Sequence, residues 1–171
     1  MLSNFPASLA LVLQSEGGFV NHKFDPGGVT NLGVTRNVWR DWVKRDVDEA
    51  EMHLLTPEMV TPLYKARYWD AVKSDDLPRG VDYAVFDSAV NMGPFRAAKL
   101  LQAALGVTVD GSIGRATIAA AAAADPTELL EAFNQGKEAF YKSLPTFQTF
   151  GKGWLNRIAH VQESAERMMV S

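Results

Sequence analysis

Most of this chain has the periodicity of helices, and alternation of apolar and polar residues is confined to residues 29–35. Apolar side chains spaced by three and four residues form one stripe on a helix, whereas a half-buried strand alternates with a period of two. Residues that begin or end helices separate the periodic segments by short loops. The sequence therefore predicts a mostly α fold with one small β or loop element.

The predicted helices have start or stop signals of their own. Thr35, Thr56 and Asp125 suit helix N-caps, and proline follows the last two. Gly106 suits a helix C-terminus. The predicted segments are 5–15, a helix after Thr35 that carries Trp39 and Trp42 in the core, one from Pro57 toward Trp69, 82–92, 95–105, 116–124, one from Pro126, and a last helix after Gly153-Trp154.

Composition limits the classes of protein to consider. The chain has 171 residues, 47% hydrophobic content and no cysteine, so it can bury a sizeable core without disulfides. No internal repeat or low-complexity linker divides it, and we expect a monomer with two packed lobes, 1–70 and 71–171, around a cleft. A formal net charge of −3 provides no basic field, which argues against nucleic-acid binding.

Two carboxylates frame a glycine-rich stretch near the N-terminus. Glu16 continues the apolar stripe of the first helix, and an apolar setting favours the protonated form that a general acid needs. Asp25 begins an Asp-Pro-Gly-Gly turn, a more polar place where it should stay ionised. Such a pair matches the design that cleaves glycosidic bonds. Taken singly, each residue also fits a helix end or an ordinary turn.

Other catalytic classes lack their motifs. His22, His53 and His160 are far apart in the sequence and lack the helical spacing of zinc ligands, so we expect neither metal nor cofactor. The chain has no cysteine nucleophile, no Gly-x-Ser-x-Gly elbow and no phosphate-binding glycine loop. These absences disfavour the amidases that depend on zinc or cysteine.

Several polar and aromatic residues are candidates for binding sugar. Tyr83, Asp87 and Asn91 are spaced by four on one helix face, which would border a groove unless they satisfy helix ends or loop amides. Tyr68 offers a flat face for stacking, although single aromatic residues usually belong to the core. The candidates for substrate binding are His22, Asn31, Tyr68, Asp87 and Asn91.

Nearly the whole chain resembles glycoside hydrolase family 108, the peptidoglycan muramidases of bacteria and phages. The N-terminal resemblance is carried by residues 16–21 (Glu-Gly-Gly-Phe-Val-Asn), 25–35 (Asp-Pro-Gly-Gly-Val-Thr-Asn-Leu-Gly-Val-Thr) and 67–70 (Arg-Tyr-Trp-Asp). Residues 86–93 and 101–117 resemble the C-terminal peptidoglycan-binding region of that family. The resemblance implies a lysozyme-like fold.

The resemblance also implies roles for individual residues. Glu16 takes the position of the essential catalytic acid in the Glu-Gly-Gly motif. Phage-type lysozymes have a Glu, an Asp and a Thr in this order, matched here by Glu16, Asp25 and Thr30. The spacing before Thr30 is about one residue shorter than in that pattern. Thr30, Thr35 and Asn31 therefore all remain candidates for holding the attacking water.

The function implied is hydrolysis of the β-1,4 bond between N-acetylmuramic acid and N-acetylglucosamine, with peptidoglycan glycan strands as the partner. The alternatives are a non-catalytic wall-binding or virion protein and a glycosidase acting on chitin or chitosan. The N-terminus has no cationic start, and residues 9–13 are too short to span a membrane. We therefore expect neither a signal peptide nor membrane insertion. We expect an endolysin that is made in the host cytoplasm and reaches the cell wall, in the periplasm, after release.

Overall fold

The computed structural model describes residues 3–21 and 28–171. It divides into two compact units, a smaller one of Pro6–Ala66 and a larger one of Arg67–Ser171 with the N-terminal residues through Phe5. Within the described ranges the chain is mostly α-helical with one small sheet, so the predicted fold class is confirmed. The assignment of catalysis to 1–70 and of wall binding to 71–171 stays a prediction.

The helices match most of the predicted segments. They are α1 Phe5–Glu16, α2 Arg36–Val43, α3 Glu49–His53, α4 Pro57–Tyr64, α5 Val81–Met92, α6 Pro94–Leu105, α7 Arg115–Ala123, α8 Pro126–Lys142 and α9 Phe147–Met169. A π-helical turn covers Lys65–Trp69, and a short 3₁₀ turn covers Ser74–Asp76. The short helix α3 was not predicted from the sequence. Asp48 caps it by accepting a hydrogen bond from the amide of Glu51 at 2.8 Å.

The predicted caps are present. Thr35 Oγ1 accepts from the amide of Val38 at 3.2 Å, and Thr56 Oγ1 accepts from that of Met59 at 3.3 Å. Asp125 accepts from two amides at the start of α8. These local hydrogen bonds satisfy donors that the first turn of a helix leaves unpaired.

The sheet is a three-stranded antiparallel meander in the order β1 Val20–Asn21, β2 Val29–Asn31 and β3 Val34–Thr35. Thr30 pairs with Val20 on one side and with Thr35 on the other. Leu32 and Gly33 join β2 to β3 with φ angles of 51° and 74°, as a two-residue hairpin turn requires. The left-handed conformation is ordinary for Gly33 and strained for Leu32.

Aromatic packing organises the core of the larger unit. Trp69 has no exposed surface, and its ring lies 5.3 Å from those of both Phe5 and Phe86, measured between centroids. Residues 81–89 of α5 are buried on every side, as expected for a central helix.

Two predictions made from the sequence are wrong in detail. The last helix begins at Phe147, before Gly153-Trp154, because a glycine lowers helix propensity by only about 1 kcal/mol and does not by itself stop a helix. A Cβ built on Gly151 would lie 2.5 Å from Phe147 Cε2. Gly151 thus leaves room for the Phe147 ring, and Gly153 lies inside the helix that it was predicted to precede. Trp39 belongs to the core, whereas Trp42 is only half-buried.

Candidate active site

Glu16 is the last residue of α1 and is half-buried. Gly17 follows it with φ 77°, and its amide donates to the carbonyl of Leu13 at 3.2 Å, which ends the helix. A residue with a side chain resists this left-handed conformation, so the glycine permits the chain to turn directly after the carboxylate. The carboxylate therefore stands at the end of a rigid element.

The β2–β3 turn reaches the Glu16 side chain at Gly33. A Cβ atom built on Gly33 would lie 2.8 Å from Glu16 Cγ and 2.9 Å from Glu16 Cβ. The same atom would lie 2.5 Å from the Tyr64 hydroxyl oxygen. Glu16 and Tyr64 thus occupy the space that a side chain at residue 33 would need, and a larger residue there would displace one of them.

Tyr64 also holds the β2–β3 turn in place, through a hydrogen bond. This residue ends α4 and is 1% exposed. Its hydroxyl donates a hydrogen bond to the carbonyl of Leu32 at 2.7 Å. The strained turn is therefore held to α4 by a partly buried hydrogen bond, and Gly33 of this turn lies against the stem of Glu16.

The three candidates for holding water differ in their surroundings. Thr30 and Thr35 are cross-strand partners, so their side chains share one face of the sheet. The Thr35 hydroxyl already accepts the capping hydrogen bond of α2. Asn31 is 6% exposed, and its amide donates to the carbonyl of Met52 at 2.8 Å. Thr30 is half-buried, and its role, like those of the other two, stays a prediction.

His22 and Asp25 lie outside the described residues, so their predicted roles stay predictions. On either side of these residues in the sequence, β1 and β2 pair with each other, Asn21 with Val29. Phe19, just before β1, stacks on His53 with ring centroids 3.4 Å apart. Asn21 donates to Glu49 at 3.1 Å, which further ties β1 to α3.

The remaining predicted binding residues belong to the larger unit. Tyr68 is half-buried in the π-helical turn. Asp87 has no exposed surface, and its carboxylate accepts from Lys137 at 3.3 Å and from Arg157 at 2.9 Å. The exposed Asn91 also donates to Asp87, at 3.1 Å. Sugar binding by these three residues stays a prediction, and Asp87 is in any case an anchor for two cations.

Charges in this cluster act on their neighbours. Burial lowers the pKa of Lys137, and Asp87 opposes that change by favouring the ammonium. Burial, followed by the charge of Asp87, raises the pKa of Tyr141 to about 12, so its phenol is neutral near pH 7. Asp87 is therefore the shared carboxylate partner of Lys137 and Arg157.

Residues 3–21 and 28–171 contain neither a cluster of three metal-ligating side chains nor a membrane-spanning helix. No three His, Cys, Asp or Glu side chains in these ranges converge on a point where a metal ion would fit. None of the helices there combines the length and hydropathy needed to cross a bilayer.

Comparison with known proteins identifies the family. Residues 9–93 match the family model for glycosyl hydrolase 108, and residues 96–159 match that of a "Predicted Peptidoglycan domain". The solved structure of Brucella abortus SagA is 40% identical, with a TM-score of 0.88 over 98% of this chain and 97% of that one. The chain belongs to glycosyl hydrolase family 108. A search of curated proteins returned no match.

Membership fixes the general activity. The family 108 chain is a glycoside hydrolase that acts on peptidoglycan, and its fold is lysozyme-like. Gly33, which lies against the stem of Glu16, and Tyr64, which holds the turn that carries Gly33, are site neighbours that sequence reasoning missed. Gly33 had a signal, since it follows Leu32 between two short β segments, whereas Tyr64 is one more apolar residue of a helix.

Proposed function

We propose that the protein is a muramidase that hydrolyses the β-1,4 bond between N-acetylmuramic acid and N-acetylglucosamine, with Glu16 as its general acid. The observation that carries the proposal is the confinement of Glu16 by Gly33, whose missing Cβ would come within 2.8 Å of Glu16 Cγ. Catalytic groups need such fixed placement, because small displacements from the productive geometry lower the rate.

The chemistry assigned to Glu16 is protonation of the departing oxygen. As the bond between the muramic acid C1 and that oxygen breaks, the Glu16 proton passes to the leaving N-acetylglucosamine, and positive charge develops at the sugar ring. A water molecule then bonds to C1 and releases a proton.

Asp25 and Thr30 are proposed to serve the water and the developing cation. Asp25 supplies a negative charge that steadies the cation or accepts the proton of the water, and Thr30 orients the water without adding charge. Thr30 is preferred to Thr35 because the Thr35 hydroxyl caps α2, and to Asn31 because its amide is committed to Met52. Attack by a positioned water implies inversion at C1.

The test is release of reducing ends from purified peptidoglycan, with mass spectrometry to identify which sugar carries the new end. We expect muramic acid ends from the wild type and a loss of at least about a hundredfold in Glu16→Gln, the range for removal of a general acid. Glu58→Gln, an exposed acid of the same unit, is the matched control and should retain full activity. Circular dichroism and thermal unfolding confirm that each variant is folded.

Other outcomes identify other sites or substrates. A folded Glu16→Gln enzyme with undiminished activity would refute the role of Glu16 and move the acid elsewhere. New ends on N-acetylglucosamine would change the bond that is cleaved, and faster release from chitin or chitosan than from peptidoglycan would change the preferred polymer. Analysis of the anomer formed first distinguishes inversion from retention.

For the biological setting we propose a phage or prophage endolysin, made in the host cytoplasm as a monomer and reaching the wall after the membrane opens. A bacterial muramidase that serves secretion is the close variant. A gene for a membrane-permeabilising protein beside this one supports the first, and a secretion gene cluster supports the second. Expression inside a bacterium gives a direct test, because lysis should require a membrane-permeabilising partner.

A further inference from the structure

We propose that one face of α9, carrying Phe150, Trp154 and Arg157, holds a glycan strand of peptidoglycan during hydrolysis. The surface includes Phe140 and Tyr141 of α8 and Arg96 of α6, and its four rings are called the aromatic row: Phe140, Tyr141, Trp154 and Phe150. The proposal rests on peptidoglycan as the substrate and is independent of which residue is the catalytic acid.

The aromatic row is continuous and ends in an exposed ring. Tyr141 is 7% exposed and forms the base on which Trp154 stacks, with ring centroids 4.7 Å apart and an interplanar angle of 20°. Phe150 lies 5.8 Å from Trp154 and is 54% exposed. An exposed aromatic ring supported by a second ring is costly to leave in water and suits a ligand with apolar faces.

Helical spacing brings the rings and a cation onto one side of α9. Phe150, Trp154 and Arg157 follow each other at intervals of four and three residues, so their side chains share a face. The length of this stretch, about 10 Å at 1.5 Å per residue, is close to that of a disaccharide. The surface therefore offers two adjacent stacking positions with a positive charge beside them.

The guanidinium of Arg157 is held in a fixed orientation. Its Nε and Nη2 donate to Asp87 Oδ1 at 3.2 and 2.9 Å, and Asp87 has no exposed surface, while the Arg157 side chain is 21% exposed. Lys137 Nζ lies 3.3 Å from the other oxygen of that carboxylate, so Arg157 and Lys137 share one buried partner. Arg96 adds a second cation above the Phe140 ring, 4.5 Å from its centroid.

Glycan strands of peptidoglycan have the matching chemistry. The C–H faces of their sugar rings pack against flat aromatic rings, and the carboxylates of their peptide stems pair with guanidinium groups. Chitin offers the same sugar faces without carboxylates, so the two cations favour peptidoglycan. The rings and both cations also lie within or next to the residues 96–159 that match the peptidoglycan domain model.

The experiment measures co-sedimentation of the full chain with purified peptidoglycan sacculi, at low temperature and over a range of salt. We expect the Phe150→Ala, Trp154→Ala double variant to bind about tenfold more weakly, the loss typical of two interface aromatic residues. Trp154→Phe should retain most of the binding, because it keeps a stacking ring. Phe95→Ala is the matched control, an exposed phenylalanine whose ring lies on Gly111, outside the aromatic row, and it should bind like the wild type.

Hydrolysis supplies a second readout. Turnover of intact sacculi at low concentration should fall with binding in the double variant. Turnover of a short soluble glycan of two disaccharide units, which contains one cleavable bond, should stay within about twofold of the wild type. Binding within twofold of wild type by the folded double variant, or equal losses in Phe95→Ala, would overturn the proposal. If the double variant fails to fold, Phe150→Ala alone decides, because its ring is more than half exposed. The result of this binding test does not depend on whether Glu16→Gln is active, because co-sedimentation with sacculi measures binding directly.

Discussion

Gly33 lies so close to Glu16 that a Cβ atom on the glycine would come within 2.8 Å of Glu16 Cγ. The contact connects a strained hairpin turn to the stem of the proposed acid, and Tyr64 holds the turn through its hydrogen bond to Leu32. The glycine in this motif is therefore required by space as well as by its φ of 74°.

Gly33→Ala should impair both folding and activity. The left-handed backbone costs an alanine about 1–2 kcal/mol, and crowding against Glu16 and Tyr64 adds about 1–3 kcal/mol to the loss in free energy of unfolding. Activity on peptidoglycan should fall at least about tenfold at a temperature where the variant is fully folded, because the Glu16 side chain must move. Denaturant unfolding and release of reducing ends measure the two effects.

Gly106→Ala separates backbone strain from crowding. Gly106 has a φ of 67°, and nothing lies within 4 Å of a Cβ built there. This variant should lose about 1–2 kcal/mol of stability and no activity per folded molecule. Equal activity in both glycine variants would show that the Gly33 contact does not position Glu16.

The Asp87 cluster predicts a marked difference between two single substitutions. Asp87→Asn leaves Lys137 charged and buried without a carboxylate, which should cost about 3–5 kcal/mol of unfolding free energy. Lys137→Met removes that buried cation while Arg157 still pairs with Asp87, so it should cost clearly less. A denaturant-based double-mutant cycle checks this, and in the double variant Lys137→Met should recover part of the Asp87→Asn loss. Additive losses would show that the two charges are not coupled.

Sequence reasoning succeeded where the determinants are local. Thr35 was predicted to cap a helix because the cap involves an amide only three residues away. The alternation over 29–35 predicted a small β or loop element, where β2 and β3 lie, whereas β1 had no such signal. The contact of Tyr64 with Leu32 joins residues 32 positions apart, and nothing in the pattern of α4 distinguishes Tyr64 from a core residue. Long-range side-chain contacts of this kind depend on packing, which periodicity does not report.

The face of α5 that carries Asp87 shows the same limit of sequence-based prediction. The spacing of Asp87 and Asn91 correctly indicated that they share a face, since Asn91 donates to Asp87. Lys137 and Arg157, which lie 50 and 70 positions further along the chain, carry no signal that they converge on that carboxylate. Whether an acidic residue faces a groove or a buried cation is decided by the neighbouring helices, so sequence alone left both possibilities open.

Position 102 should not tolerate a negatively charged side chain in place of Gln102. Its Oε1 accepts from the amides of Asp110 and Gly111 at 3.0 and 2.8 Å, and its Nε2 donates to Asp110 Oδ1 at 2.8 Å. Gln102→Glu removes the donor and places a second carboxylate beside Asp110 in a site 1% exposed. We expect a loss of about 3 kcal/mol or more in unfolding free energy.

The matched control for this change is Gln135→Glu, an exposed residue of α8 in the same unit, which should stay within about 0.5 kcal/mol of the wild type. Urea unfolding of both variants gives the comparison. The hydrogen bond from Gln102 also lowers the pKa of Asp110, so in Gln102→Glu that pKa should rise, as NMR titration can detect. A stable Gln102→Glu protein would show that the loop 107–114 does not depend on this side chain.

Asp82 is expected to make the free energy of unfolding depend on pH in the acidic range. Its carboxylate accepts from the amides of Gly80 and Tyr83, both at 2.7 Å, and from Asn4 at 3.1 Å. Burial nevertheless raises its pKa above the ordinary value of 3.8. In the window between these two values the folded protein binds more protons than the unfolded chain does.

The sign of the effect follows from that difference in bound protons. Stability falls as the pH rises from 3.8 through the raised folded pKa, because ionising a buried carboxyl costs more than ionising it in the unfolded chain. Asp82→Asn keeps an oxygen that accepts the same hydrogen bonds and cannot ionise, so its unfolding free energy should lack this decline and exceed that of the wild type near neutral pH. Urea unfolding at a series of pH values between about 3 and 7 measures both curves. Asp76→Asn, at an exposed acid, should reproduce the wild-type slope, and an unchanged slope in Asp82→Asn would mean that Asp82 ionises as freely in the folded protein as in the unfolded chain.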